Sequence, residues 1–250
     1  MSGFFRSFWL QLRGFRLFLG LCSVLLLASA FLDYRMLDSL MYPASEPILP
    51  TIETGSKVAI PPPAIDRGHP RYEFWDALSR LGRGEWYLIP TGAGLLLLWA
   101  ARRLRLARQG REWRNFCWLM LAVLASTGVL VNLFKVLFGR ARPREIYRTG
   151  EQGFFWFRMD SAYHAFPSGH TAVVMSAALV GGLVFPRLRL FFLVVAGLIA
   201  LSRVLTYAHF PGDLAAGGLL AVCVVALWRR QFQSWSLDLP LVGGRTSQWL

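Results

Sequence analysis

Three short stretches carry side chains whose types and spacing suit a single phosphate group. Lys135 to Pro143 (KVLFGRARP) reads Lys-x6-Arg-Pro, Pro167 to His170 reads Pro-Ser-Gly-His, and Ser202 to Asp213 (SRVLTYAHFPGD) reads Ser-Arg-x5-His-x3-Asp. Phosphoryl transfer needs positioned cations, a nucleophile and a proton donor. Arg142 can grip phosphate oxygens in a bidentate fork, and Lys135 adds a compact charge. Gly139 lets the chain turn between them, so the two cations can approach one phosphate from different directions. Pro167 precedes a helix start at Ser168, a favoured N-cap residue, where free backbone N–H groups suit an anion. Gly169 permits close approach to that backbone, and His170 in the first turn can protonate a leaving oxygen. In the third stretch, Pro211-Gly212 ends one helix and turns the chain, which lets Asp213 meet His209. A carboxylate on one imidazole nitrogen fixes the tautomer and raises basicity at the other, which suits a nucleophilic histidine.

Each residue also has a plainer reading. Lys135 alone would be a snorkelling interface residue. Ser168 would be a simple cap, and His209 a structural histidine at a membrane interface. Arg140 and Arg144 read as surface or headgroup charges. His164, six residues before His170, is a candidate substrate contact set against an ordinary loop histidine, and His69 reads as a loop residue with no role.

The elements that must hold these residues are apolar. The chain has 250 residues, 55% of them hydrophobic, and a mean hydropathy of +0.43, more apolar than a soluble domain of this length. A net charge of +13 raises the question of nucleic acid. The distribution excludes that reading: arginines gather in short clusters between apolar runs, and the only lysines are Lys57 and Lys135. Cys22, Cys117 and Cys223 each sit inside an apolar run and read as packing residues, with neither a disulfide framework nor a Cys/His zinc spacing.

A bilayer core takes about 20 apolar residues as helix. Six segments fit, at 15–32, 86–101, 116–134, 170–185, 190–207 and 213–228. The expected fold is therefore all-α: a polytopic membrane helix bundle of one domain over 1–250, with a motif-bearing core at 116–228. Arg203, within the fifth segment, should face a polar interior rather than lipid. Arginines before the first segment, at 102–114, at 187–189 and at 229–230 fall on one side, which the positive-inside rule makes cytoplasmic together with both termini. The opposite side holds 33–85, 135–169 and 208–212, and with them all three motifs.

The first segment also imitates a cleavable signal peptide, with Ala28-Ser29-Ala30 after a basic start and an apolar stretch. Phe5, Phe8, Trp9 and Leu12 fit an interfacial helix or an extension of the first span. Residues 33–85 form a soluble insertion, irregular around Pro61-Pro62-Pro63. Within it Tyr72, Phe74, Trp75, Leu78 and Leu81 predict a short amphipathic helix at 71–82, for plain packing or as part of a substrate entrance.

Taken together, the three motifs in this order resemble the type 2 phosphatidic acid phosphatase (PAP2) superfamily, over roughly residues 116 to 228. The resemblance implies that His209 attacks phosphorus and forms a phosphohistidine, that Asp213 orients it, and that His170 protonates the leaving group and later helps activate water. It implies that Lys135, Arg142 and Arg203 hold the phosphate oxygens with help from Ser168 and the Gly169 backbone, and that neither metal nor cofactor is needed. The implied protein is a lipid phosphatase of a bacterial inner membrane, with its site facing the periplasm and the bilayer and a lipid phosphate as partners. Undecaprenyl diphosphate, phosphatidylglycerol phosphate, phosphatidic acid and lipid A are the candidate substrates, and the basic loop 135–158 slightly favours lipid A or a polyprenyl diphosphate. A lipid phosphotransferase and a non-catalytic phosphate-lipid binding or transport protein are the alternatives. A haloperoxidase of the same superfamily fits poorly with six membrane segments. Oligomeric state has no signature in the sequence.

Overall fold

A computed structural model describes residues 70–104, 110–240 and 242. The first predicted span, the signal-like segment and the insertion as far as residue 69 lie outside the described residues. Seven α-helices follow: α1 (Pro70–Arg80), α2 (Glu85–Arg103), α3 (Arg111–Phe138), α4 (Pro143–Thr149), α5 (Gly169–Val184), α6 (Arg189–Leu205) and α7 (Pro211–Ser234). Single 3-10 turns lie at Ser161–Tyr163 and Pro186–Leu188. Among the described residues there is no strand, only an isolated antiparallel bridge between Arg140 and Phe154.

Among the described residues, three stretches are long and apolar enough to cross a bilayer: Arg111–Phe138, Pro186–Leu205 and Pro211–Ser234. Helix α5 is as apolar but has 16 residues, about 24 Å of rise, which is short of the hydrocarbon thickness. Helix α2 has 19 residues, but its polar ends and Pro90 dilute its apolar run. Of the five predicted spans that fall on described residues, three meet the requirement on length and composition. All five expected segments from 86 onward are nonetheless helical. Large apolar side chains are exposed along them, including Ile89, Leu97, Val129, Leu133 and Leu190, a surface that suits lipid contact.

Helices α3, α5 and α7 pack around one core of Leu119, Val123, Leu124, Ala172, Val180, Leu220 and Val224. A second cluster joins α5 to α6 through Val174, Ala178, Ala196 and Ile199. Polar pairs cross the interior: the hydroxyls of Thr127 and Ser176 lie 3.2 Å apart, and Trp228 Nε1 donates to Ser126 Oγ at 2.9 Å. Small residues set the closest approaches. A Cβ at Gly217 would lie 2.5 Å from the Ser168 carbonyl oxygen, so α7 can meet the start of α5 only without a side chain there.

The alternation of helix directions decides where the motifs meet. Lys135 ends α3, Gly169 and His170 begin α5, Arg203 closes α6 and Asp213 opens α7. All therefore collect at one end of the bundle. The arginines of the α2 C-terminus, the α3 N-terminus, the 186–189 turn and the α7 C-terminus collect at the other.

Candidate active site

The approach to the site is set by Gly139, which caps α3 in a left-handed conformation (φ 55°). Its missing Cβ would fall 1.8 Å from the Phe155 carbonyl oxygen, so both backbone angle and space demand glycine. The chain then reverses. Arg142 is held by the 161–164 turn, its Nε donating to the Ser161 carbonyl at 3.0 Å and Nη2 to that of His164 at 3.4 Å. Burial foremost, then the neighbouring Arg144 and Arg203, lower its guanidinium to about 10, leaving it charged at neutral pH. His164 supports the turn rather than reaching across it: its Nε2 lies 3.0 Å from the Arg158 carbonyl oxygen.

Ser168 caps α5, its hydroxyl accepting from Thr171 N at 3.5 Å and Thr171 Oγ1 at 3.0 Å. Its own N–H donates to the Asp213 carbonyl at 2.9 Å, which stitches the Pro-Ser-Gly-His turn to the start of α7. A Cβ at Gly169 would sit 3.3 Å from Lys135 Nζ, so the lysine head lies over the first turn of α5. His170 is half-buried, and the charges acting on it are those of Arg203, His209, Lys135 and Arg142. These side chains thus surround one point.

His209 is buried, at 2% exposure. Its Nδ1 donates to the Ala165 carbonyl at 2.7 Å, because a carbonyl oxygen can only accept. That bond fixes the tautomer and leaves the Nε2 lone pair unprotonated. Burial, then Arg142, Arg203 and Lys135, hold the imidazole well below the usual histidine range, while the bond to Ala165 works the other way. Asp213 lies farther from the ring, its Oδ2 3.5 Å from Nδ1. The orienting place expected of Asp213 is thus taken first by a backbone oxygen. Asp213 Oδ2 accepts from Phe210 N at 2.9 Å, which locks the first turn of α7.

The other oxygen of Asp213 meets a residue that the sequence reading placed at the surface. Arg140 Nη1 donates to Asp213 Oδ1 at 2.7 Å, with both side chains at or below 1% exposure. The guanidinium stacks over Phe210 at 4.4 Å and Phe154 at 5.2 Å. Arg140 is a buried partner of the site, whereas Arg144 is half-exposed beside Glu145 and remains a surface charge. A lone arginine code in a basic loop carries no sign of this.

Arg203 has a partner from outside the motifs. Its Nη1 donates to Ser79 Oγ at 3.0 Å, and Ser79 in turn donates to the Asp76 carbonyl at 2.8 Å. Arg203 Nε is buried with no hydrogen-bond partner among the described residues. No carboxylate forms an ion pair with Lys135, Arg142 or Arg203 among the described residues. Three cations facing two histidines, none of the three within ion-pair distance of a carboxylate among the described residues, make a site for an anion. Among the described residues no group of three or more His, Cys, Asp or Glu is arranged to hold a metal.

Residues 116–236 match the PAP2 superfamily. The chain is 31% identical over 149 residues to a lipid A 1-phosphatase of Rhizobium johnstonii, covering 57% of this chain and 60% of that protein. It is 30% identical over 152 residues to a lipid A 1-phosphatase of Rhizobium etli, covering 58% and 64%. The chain therefore spans less than two thirds of the length of these relatives. The crystal structure of Aquifex aeolicus LpxE aligns with a TM-score of 0.49 at 19% identity, over 80% of this chain and 95% of that one.

Proposed function

From residues 116–236 as a PAP2-superfamily segment, we propose that this chain is a membrane phosphatase acting on a lipid phosphate through a phosphohistidine. The observation that carries the reading is His209: its Nδ1 proton is committed to Ala165 while the charges of Arg142, Arg203 and Lys135, none ion-paired to a carboxylate among the described residues, act on the ring. Nε2 attacks phosphorus as the bond to the leaving oxygen breaks, and that oxygen takes a proton from His170. Water then attacks phosphorus, giving its proton to His170, and the N–P bond breaks to release phosphate. Lys135, Arg142 and the free Nε of Arg203 hold the phosphoryl oxygens as charge redistributes. The phosphate dianion also supplies the negative charge that lets His170 carry a proton among so many cations.

The two relatives act on lipid A at its 1-phosphate, and we take the same class, a sugar 1-phosphate on a lipid anchor, as the substrate here. The site end of the bundle faces the periplasm of a bacterial inner membrane, opposite the arginine-rich end. Transfer to a second lipid from the same intermediate is the alternative.

The test uses purified protein in detergent with EDTA, against lipid A, polyprenyl diphosphate, phosphatidylglycerol phosphate and phosphatidic acid, alongside His209→Ala. EDTA-resistant phosphate release that vanishes in the variant is expected. A lipid that gains one phosphate without free phosphate would establish transfer instead, and no His209-dependent change with any lipid would sink the enzyme reading.

A further inference from the structure

A groove of about 260 Å³ opens against His170 and Lys135. One wall is a face of α3, where Gly128, Val131, Asn132 and Lys135 recur at helical spacing. The facing wall is the turn Gly82–Glu85 that joins α1 to α2. This turn lies hard against the site: a Cβ at Gly82 would fall 2.8 Å from His170 Cδ2. Whatever the groove holds therefore lies beside the imidazole that serves as the acid, and an acid must touch the oxygen that departs.

Asn132 is the unusual member. It is an exposed amide within a helix otherwise apolar enough to span the bilayer, where a polar side chain is costly against lipid. Its Nδ2 donates to the Gly128 carbonyl at 3.0 Å, which leaves Oδ1 to accept from a ligand hydroxyl. Across the groove, Arg83 Nη1 lies 3.6 Å from Glu85 Oε1, so the charges of that wall balance. With Lys135 engaged by the transferred phosphate, the groove has no spare cation for a second one. Val131 and Val173 complete it with apolar surface, as one face of a sugar ring requires.

We propose that this groove is the leaving-group subsite, and that it takes an uncharged, hydroxylated ring of sugar type rather than a second phosphate. The inference rests on the phosphatase reading above and deepens it. Asn132 and the Arg83–Glu85 pair are its specificity-determining residues.

The experiment compares Asn132→Leu and the double variant Arg83→Ala/Glu85→Ala with the unmodified protein in mixed micelles. Three substrates are used: lipid A, p-nitrophenyl phosphate and a polyprenyl diphosphate. Phenolate leaves without sugar hydroxyls and with little need for an acid, so it reports on the phosphate site alone. We expect kcat/KM on lipid A to fall about five- to tenfold in each variant, with less than about a twofold change on p-nitrophenyl phosphate. Equal losses on both substrates, no loss on lipid A, or an unmodified protein that prefers the diphosphate would each overturn the subsite. An unmodified protein inactive on all three would overturn the subsite, and inactivity on phosphatidylglycerol phosphate and phosphatidic acid as well would remove the phosphatase reading itself.

Discussion

Arg140 and Asp213 form a pair that neither residue could leave alone. A buried carboxylate without its cation is strongly destabilising, typically by about 3–5 kcal/mol. Arg140→Met should therefore lower the melting temperature in detergent sharply, and adding Asp213→Asn to it should recover part of the loss, because the uncompensated charge is then gone. If the double variant is as unstable as the sum of both single ones, the pair is not coupled and stacking on Phe154 and Phe210 dominates. His209 gives a second prediction. Its folded imidazole resists protonation, so the unfolded chain binds the extra proton first. Its contribution to stability is then present above about pH 6.5, the ordinary histidine value, and is lost as pH falls below it. Thermal melting between pH 7.5 and 5 should show this slope, and His209→Gln should make it shallower. In the catalytic role, His209→Ala should reduce turnover at least about a thousandfold, and acid-labile radiolabel on the protein should disappear with it.

Helix α1 shows how an element outside the motifs enters the site. The apolar spacing of Tyr72, Phe74, Trp75, Leu78 and Leu81 predicts a helix at 71–82, and the structure has Pro70–Arg80. The spacing reveals an apolar face but not what lies beneath it. That turns out to be α6, through Leu78 against the Ala196–Ile199 cluster, with Ser79 reaching Arg203. A serine code is silent about a partner 124 residues away. The hydrogen bond predicts that Ser79→Ala loosens Arg203 and weakens competitive inhibition by inorganic phosphate about three- to tenfold, with Ser79→Thr restoring it. Unchanged inhibition in Ser79→Ala would mean that α1 only packs. The start of α5 was legible because its signal is local: Ser168 caps it where the Pro-Ser-Gly-His turn placed it. The helix expected to end at Pro211-Gly212 instead stops at Leu205, and Pro211, with its φ already helical and no N–H to satisfy, opens α7. Arg140 and the Ala165 carbonyl were not legible, since both act through contacts made only after the loop 150–168 folds over the ends of α3 and α7.

At the scale of the molecule, the bundle separates two kinds of positive charge. Lys135, Arg140, Arg142 and Arg203 gather at one end, bound into the site or against Asp213. The arginines at 102–103, 111–114, 187–189 and 229–230 gather at the other. The positive-inside rule is read from the second group, whose arginines flank the apolar helices in short connections. On that rule the site end is expected in the periplasm, an expectation that single cysteines can test. Met159 is 78% exposed on the loop at the site end, and Leu188 is 48% exposed in the turn at the far end. In a background with the three native cysteines replaced by alanine or serine, Met159→Cys should react with a membrane-impermeant maleimide in intact spheroplasts. Leu188→Cys should react only after the membrane is opened. The reverse pattern would put the phosphate site in the cytoplasm and with it overturn the periplasmic substrate. Labelling of both in intact cells would mean that the three spans counted on length do not form a sealed crossing.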